Sequence, residues 1–249
     1  MTAESLHAKP RWVLTGGCLL AALAAAVNAD FMLRLGVSVS HLTGDLSKIT
    51  TETVKTGGLW SPDATVLFLS VIGFISGAAI SGFFIHHPGV ALTRPYGRSL
   101  IAVGAVLIFA HLAAFRLMPG ACFLAAWACG MQNALATRYR GLVLRTTHIT
   151  GLLTDLGQLL GMRLRGHPIE GWKITTPLLL AVAFALGSMG GALLHLKWHL
   201  PVTLLCGGAY LVGGLGWSGF KRVRLARYRA AANDTPASDV SARNASDAK

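Results

Sequence analysis

Two short stretches carry residue types from which a binding site could be built. His41-Leu42-Thr43-Gly44-Asp45 and His148-Ile149-Thr150-Gly151 share histidine, aliphatic, threonine and glycine in the same order. A threonine hydroxyl can cap a helix start, and the glycine after it tolerates the adjacent turn. The free N–H groups of such a start can face an anion. Asp45 lies four residues after His41, a spacing that reads as a proton relay, as half a metal site, or as a cap beside its neighbour. In the second copy the carboxylate is displaced to Asp155, which with Gln158 interrupts a leucine pattern at helical spacing. A second set, Asn28, Asp30, Gln132 and Asn133, stands at the ends of two apolar runs. Such groups are costly in hydrocarbon and should face a protein interior, as ligands or as hydrogen-bonding partners between helices. His111 lies within another apolar run, as a packed neutral ring or a proton-handling group. The candidate substrate-binding set is Asn28, Asp30, His41, Thr43, Gly44, Asp45, Gln132, Asn133, His148, Thr150, Gly151 and Asp155.

The elements that position these residues occur twice. Asn28-Ala29 precedes the first Thr-Gly stretch and Asn133-Ala134 precedes the second. Gly73-x-x-x-Gly77-Ala78 follows the first and Gly187-x-x-x-Gly191-Ala192 the second. Three matches in one order indicate a duplicated unit. Apolar runs at about 12–27, 64–85, 99–115, 121–137, 174–196 and 202–220 are each long enough to approach or cross a hydrocarbon core of about 30 Å. The first, with its basic start and alanine-rich end, also looks like a signal peptide, but further spans follow and it reads as an uncleaved anchor.

Composition agrees with this layout. Hydrophobic residues make up 53% and charged residues only 13%, with mean hydropathy +0.56, against about 25% charged in soluble domains. The net charge of +12 sits beside the apolar runs and no basic patch is interleaved with aromatics, so nucleic acid is not an expected partner. With the N-terminus placed inside, and the tail's Arg243 and Lys249 left aside, the inner segments next to the spans hold fifteen Lys and Arg and the outer segments five, a bias that places both termini in the cytoplasm. The four cysteines fall in apolar runs without a CxxC pair and read as packing residues, not as ligands or a disulfide framework.

The expected fold is an all-α integral membrane protein of six transmembrane helices. They would form two inverted three-helix repeats, with broken or re-entrant helices at the Thr-Gly motifs. A surface loop followed by an interfacial helix is the competing reading of those motifs. The divisions are a cytoplasmic leader at 1–11, repeats at 12–116 and 117–220, and a basic then disordered tail at 221–249. The glycine pairs allow close helix contact, either within the chain or between protomers of a homo-oligomer.

Gly130-Met131-Gln132-Asn133-Ala134, followed by Thr147-His148-Ile149-Thr150-Gly151, resembles the YoaK-like family of bacterial inner-membrane proteins, a family of unknown function. The resemblance covers about 12–220 and implies a duplicated six-span layout in the inner membrane. The chain departs from the family pattern at Asn28, where aspartate is usual, and at Asp45, where asparagine is usual. That exchange hints that the two positions lie close together.

Inverted repeats are the architecture of many secondary transporters. The functional expectation is a small-solute permease or channel-like transporter, with the carboxylates binding a proton or cation. The alternative is a non-transporting membrane scaffold or stress-associated interaction protein. No nucleophile–base pair, zincin motif, P-loop or dinucleotide fingerprint is present, so no enzyme and no cofactor is expected. The bilayer, and anionic lipids at the basic run after the last span, are the expected surroundings.

Overall fold

The computed structural model describes residues 10–57, 62–85, 95–135, 138–139, 142–143 and 145–233. Lys9 of the leader, the segment between the second and third apolar runs from His86 to Arg94, Arg140 and the tail from 234 lie outside them.

Among the described residues the chain forms eight helices: α1 Pro10–Leu35, α2 Leu42–Thr56, α3 Pro62–Phe84, α4 Tyr96–Ala113, α5 Met118–Ala134, α6 Ile149–Leu164, α7 Gly171–Trp198 and α8 Val202–Asn233. A two-residue antiparallel pair, β1 Arg138–Tyr139 and β2 Leu142–Val143, precedes α6. Gly36, at φ 69°, ends α1 in the left-handed conformation that glycine adopts without penalty.

Five helices are long and apolar enough to cross a membrane: α1, α3, α4, α7 and α8. This is an all-helical, multi-pass membrane architecture. The remaining expected span, the fourth at about 121–137, corresponds to α5, which has 17 residues and is therefore about 25 Å long. Its Ala121, Cys122, Ala125, Ala126 and Ala128 are fully buried, so protein surrounds much of it. Two boundaries differ from expectation. α1 does not stop at residue 27 but continues through Asn28, Asp30 and Arg34, because those polar groups find partners inside the protein. α8 runs past residue 220 to Asn233, placing Lys221, Arg222, Arg224 and Arg227 on a helix.

The glycine pairs seat helices against one another within the chain. A Cβ at Gly73 or Gly77 would overlap the carbonyl oxygens of Phe123 and Trp127 on α5. One at Gly187 would overlap Ala22 of α1, and one at Gly191 would stand 2.7 Å from the Ala26 Cα. Contacts that advance together along both helices mean that α3 runs parallel to α5, and α1 to α7. Between α4 and α8 the order reverses, Gly97 meeting Gly214 and Gly104 meeting Gly207, so those two are antiparallel. The contacts come in matched sets: α3 on α5 and α7 on α1, α2 on α3 and α6 on α7, α4 on α5 and α8 on α1, with α4 on α8 shared. The main core lies where α1, α4, α5 and α8 meet, around Val27, Phe31, Val103, Leu107, Cys129 and Tyr210.

Candidate functional site

The densest buried polar cluster described is centred on Asp30, whose side chain is 1% exposed. Its Oδ1 accepts from His195 Nδ1 on α7 at 2.8 Å. Its Oδ2 accepts from the Thr203 backbone N–H at 3.2 Å and from the Thr203 hydroxyl at 2.5 Å, both on α8. Arg34 Nη1, one turn along α1, is 3.7 Å from Oδ2 and donates to His111 Nδ1 on α4 at 3.2 Å. The Arg34 guanidinium also lies 5.6 Å from the Phe115 ring centre. One carboxylate thus joins α1, α7 and α8, and its arginine extends the cluster to α4. A buried anion with hydrogen bonds on both oxygens and a nearby cation has the compensation that burial of charge demands. Asp30, His111 and His195 fall near the C-terminal ends of their helices and Thr203 near the N-terminal end of α8, all at one end of the bundle. Arg34 and His195 are 20% and 26% exposed and give the cluster its opening.

Asn28 and Asn133 do matching work elsewhere. Asn28 Oδ1 accepts from the Ser38 hydroxyl at 2.9 Å and from the N–H groups of Val39 and Ser40 at 3.0 and 3.1 Å. Asn133 Oδ1 accepts from the Thr147 N–H at 3.2 Å and the Thr146 hydroxyl at 3.5 Å. Each asparagine, Asn28 two turns before the end of α1 and Asn133 in the last turn of α5, pins the backbone that leads into a Thr-Gly helix. Gln132, 1% exposed, donates to Thr146 Oγ1 at 2.7 Å and to the Leu20 carbonyl at 3.3 Å, tying α5 and its loop to α1. No hydrogen bond joins Asn28 to Asp45 among the described residues. Asn28 holds the approach to the helix that carries Asp45, a looser relation than the exchange of residue types suggested.

The Thr-Gly motifs differ from the expected caps. α2 and α6 begin at Leu42 and Ile149, so Thr43 and Thr150 lie inside the first turn, and neither His41 nor His148 caps the helix with its side chain. Thr43 and Thr150 are exposed, and their carbonyls accept from the hydroxyls of Ser47 and Thr154. Gly44 is open to space, whereas a Cβ at Gly151 would meet the His148 ring at 2.5 Å. His41 Nδ1 lies 2.9 Å from the Ser40 hydroxyl and its ring meets Phe184 edge-on at 4.9 Å; burial pushes its pKa down. No hydrogen bond or ion pair joins His41 to Asp45, and no group of three His, Cys, Asp or Glu among the described residues could hold a metal ion.

Asp45 itself is 1% exposed, and its Oδ2 is buried without a hydrogen-bond partner. Burial pushes its pKa from 3.8 up to about 6, against a smaller opposing pull from Lys48. Asp155 lies apart from both carboxylates, exposed on α6, in a cleft of about 430 Å³ shared with Arg145, His148, Gln158, Lys173 and Thr176. The twelve candidates therefore divide among several places. Asp30 anchors the cluster, Asp45 is a separate buried acid, Asn28, Asn133 and Gln132 hold loops, and His148 and Asp155 line the cleft.

Arg34, His195 and Thr203 were not among the candidates. A signal for His195 does exist: it follows Gly187 and Gly191 at the same four-residue step, on the helix face that meets α1. Ser81 follows Gly73 and Gly77 in the same way, and its hydroxyl is buried without a partner. In the register that pairs Asn28 with Asn133, Asp30 corresponds to the buried Leu135. In the register of the Thr-Gly motifs, Asp45 corresponds to the buried Leu152. The paired positions share burial but not charge.

No curated protein and no solved structure matches the chain. A family model, that of a protein of unknown function designated DUF1275, matches residues 16–216, most of the sequence and all the helices that build the cluster. The chain belongs to that family, in agreement with the YoaK-like resemblance of its Gly-Met-Gln-Asn-Ala and Thr-His-Ile-Thr-Gly motifs.

Proposed function

We propose that the protein is a proton-coupled permease for a small solute, built from two inverted halves and lying in the bacterial inner membrane with both termini cytoplasmic. α1 to α4 form one half and α5 to α8 the other, with α5 as the fourth and shortest of six spans. The matched contacts support this reading, as do the directions of the pairs: parallel for α1 with α7 and α3 with α5, antiparallel for α4 with α8. The excess of basic residues on one side supports the orientation, in which the Asp30 end of the bundle faces outward. The Thr-Gly helices α2 and α6 are then interfacial helices on opposite faces. α6 exposes Leu153, Leu160 and Leu164 as such a helix should.

The observation that carries the proposal is the fully buried carboxylate of Asp30, which bonds from α1 in one half to α7 and α8 in the other. An ionisable group inside a membrane bundle is expensive, and structural packing alone would be served by the leucine found at the corresponding position 135. A group that bonds across the interface between halves senses their relative motion, and alternating access requires that motion.

The test is flux in proteoliposomes loaded with a pH-sensitive dye, challenged with amino acids, sugars, carboxylates and metal cations under an imposed potential. The expected result is dye response to one class of solute in the wild type, lost in Asp30→Asn. Absence of any response, with a stable protein co-purifying through the basic loop around Arg145 and Arg163, would transfer the assignment to a membrane scaffold.

A further inference from the structure

We infer that Nε2 of His195 is a proton-accepting atom of this protein, oriented by Asp30 as its positioning residue. The inference rests on donor and acceptor inventory. Arginine can only donate, so the contact of Arg34 Nη1 with His111 Nδ1 at 3.2 Å makes that nitrogen an acceptor. His111 is therefore neutral, with its proton on Nε2, for as long as Arg34 holds it. At the other histidine the logic reverses. An ionised Asp30 can only accept, so His195 Nδ1 carries a proton and donates it to Oδ1 at 2.8 Å. In neutral His195 the lone pair must then be on Nε2. That atom has no hydrogen-bond partner among the described residues, and the side chain that carries it is 26% exposed. A carboxylate behind one imidazole nitrogen fixes the tautomer and leaves the other nitrogen free for proton exchange.

The surroundings say what protonation would do. The charged or titratable groups near this ring are Asp30 and Arg34 on α1, His111 on α4 and Cys206 on α8, with Lys197 following on α7 itself and His199 just past its end. α6 packs against the other end of α7, beside Lys173 and Thr176. A proton taken from water onto Nε2 makes His195 a cation, and two cations then share one carboxylate. Arg34 is the weaker holder: it stands 3.7 Å from Oδ2, beyond hydrogen-bonding distance, while His195 is at 2.8 Å. Arg34 also has His111 and the Phe115 ring to retain it. Protonation of His195 thus favours the α1–α7 contact and loosens the tie from Asp30 through Arg34 to α4. This use of the site rests on the permease reading; the proton site itself does not.

The test separates the two. Nitrogen-15 histidine NMR of the detergent-solubilised protein, over about pH 5–9, reports each ring's tautomer and charge. The His195 signals are those lost in His195→Asn, a variant whose amide can still donate to Asp30. The expected result is a neutral Nδ1–H tautomer at high pH that gains a second proton on acidification. Asp30→Asn should lose that tautomer preference. A neutral Nε2–H tautomer, or a ring whose charge does not change across the range, overturns the proposal. In proteoliposomes, proton movement equal in His195→Asn and wild type would remove the site from coupling while leaving transport standing. A wild type that moves nothing would overturn the permease reading and leave the NMR result to decide the proton site.

Discussion

Replacing Asp45 by leucine, the residue at the corresponding position 152, should remove a pH dependence of stability that burial of this carboxyl predicts for the wild type. The carboxyl is 1% exposed, one of its oxygens lacks a partner, and its pKa is raised from 3.8 to about 6. The folded state therefore holds this proton more tightly than the unfolded chain does. The contribution is fully present below about pH 4 and is lost as pH rises through about 6. A rise of roughly two pH units corresponds to about 3 kcal/mol, at about 1.4 kcal/mol per unit. For a chain of this size that is on the order of 6–12 °C in apparent melting temperature. The assay is thermal unfolding of the detergent-purified protein from about pH 4 to pH 8, followed by tryptophan fluorescence, for wild type, Asp45→Leu and Asp45→Asn. The gap between Asp45→Leu and wild type should widen in favour of the leucine variant as pH rises, then level off above about pH 7. Curves for Asp45→Leu and wild type that stay parallel across the range would refute the argument, since the carboxyl would then carry no burial penalty.

Other consequences follow from packing and hydrogen bonding. Gly187→Val should destabilise the fold by at least about 3 kcal/mol and reduce yield, because the new Cβ overlaps the α1 backbone. Gly213→Ala, which faces open space, should be neutral or stabilising by about 0.5–1 kcal/mol in the same unfolding assay. Asn28→Ala leaves three donors without their acceptor and Asn133→Ala two. At about 1–3 kcal/mol for each buried group left unpaired, Asn28→Ala should be the more damaging, with faster proteolysis in the 36–41 loop. Single cysteines at Lys55 and Arg165, in a background without Cys18, Cys122, Cys129 and Cys206, should react with an impermeant thiol reagent from opposite sides of sealed vesicles. Labelling from one side would contradict the inverted arrangement.

The membrane class and the helix-rich spans were legible because they depend on local pattern. Apolar run length reports the hydrocarbon core, and repeated Asn-Ala, Thr-Gly and Gly-x-x-x-Gly-Ala motifs report a repeated packing problem. The glycine faces were legible too, although sequence left open whether they joined helices within one chain. Element ends were less visible. α1 reads as ending near residue 27 because Asn28, Asp30 and Arg34 look like a polar boundary, and only their partners on other helices show that the helix continues.

The functional residues divide along the same line. Sequence by itself selected Asp30 and Asp45, because a carboxylate beside or within apolar runs is costly wherever it ends up. It grouped Asp45 with His41 and with the Thr-Gly motif, since those lie close along the chain. The tertiary structure separated them and placed Asp30 with His195, 165 residues away, and with Thr203, 173 residues away. Composition and periodicity determine which segments leave water. Which buried donor meets which buried acceptor depends on helix direction and register, and here those are decided by the contact of Gly187 and Gly191 with Ala22 and Ala26.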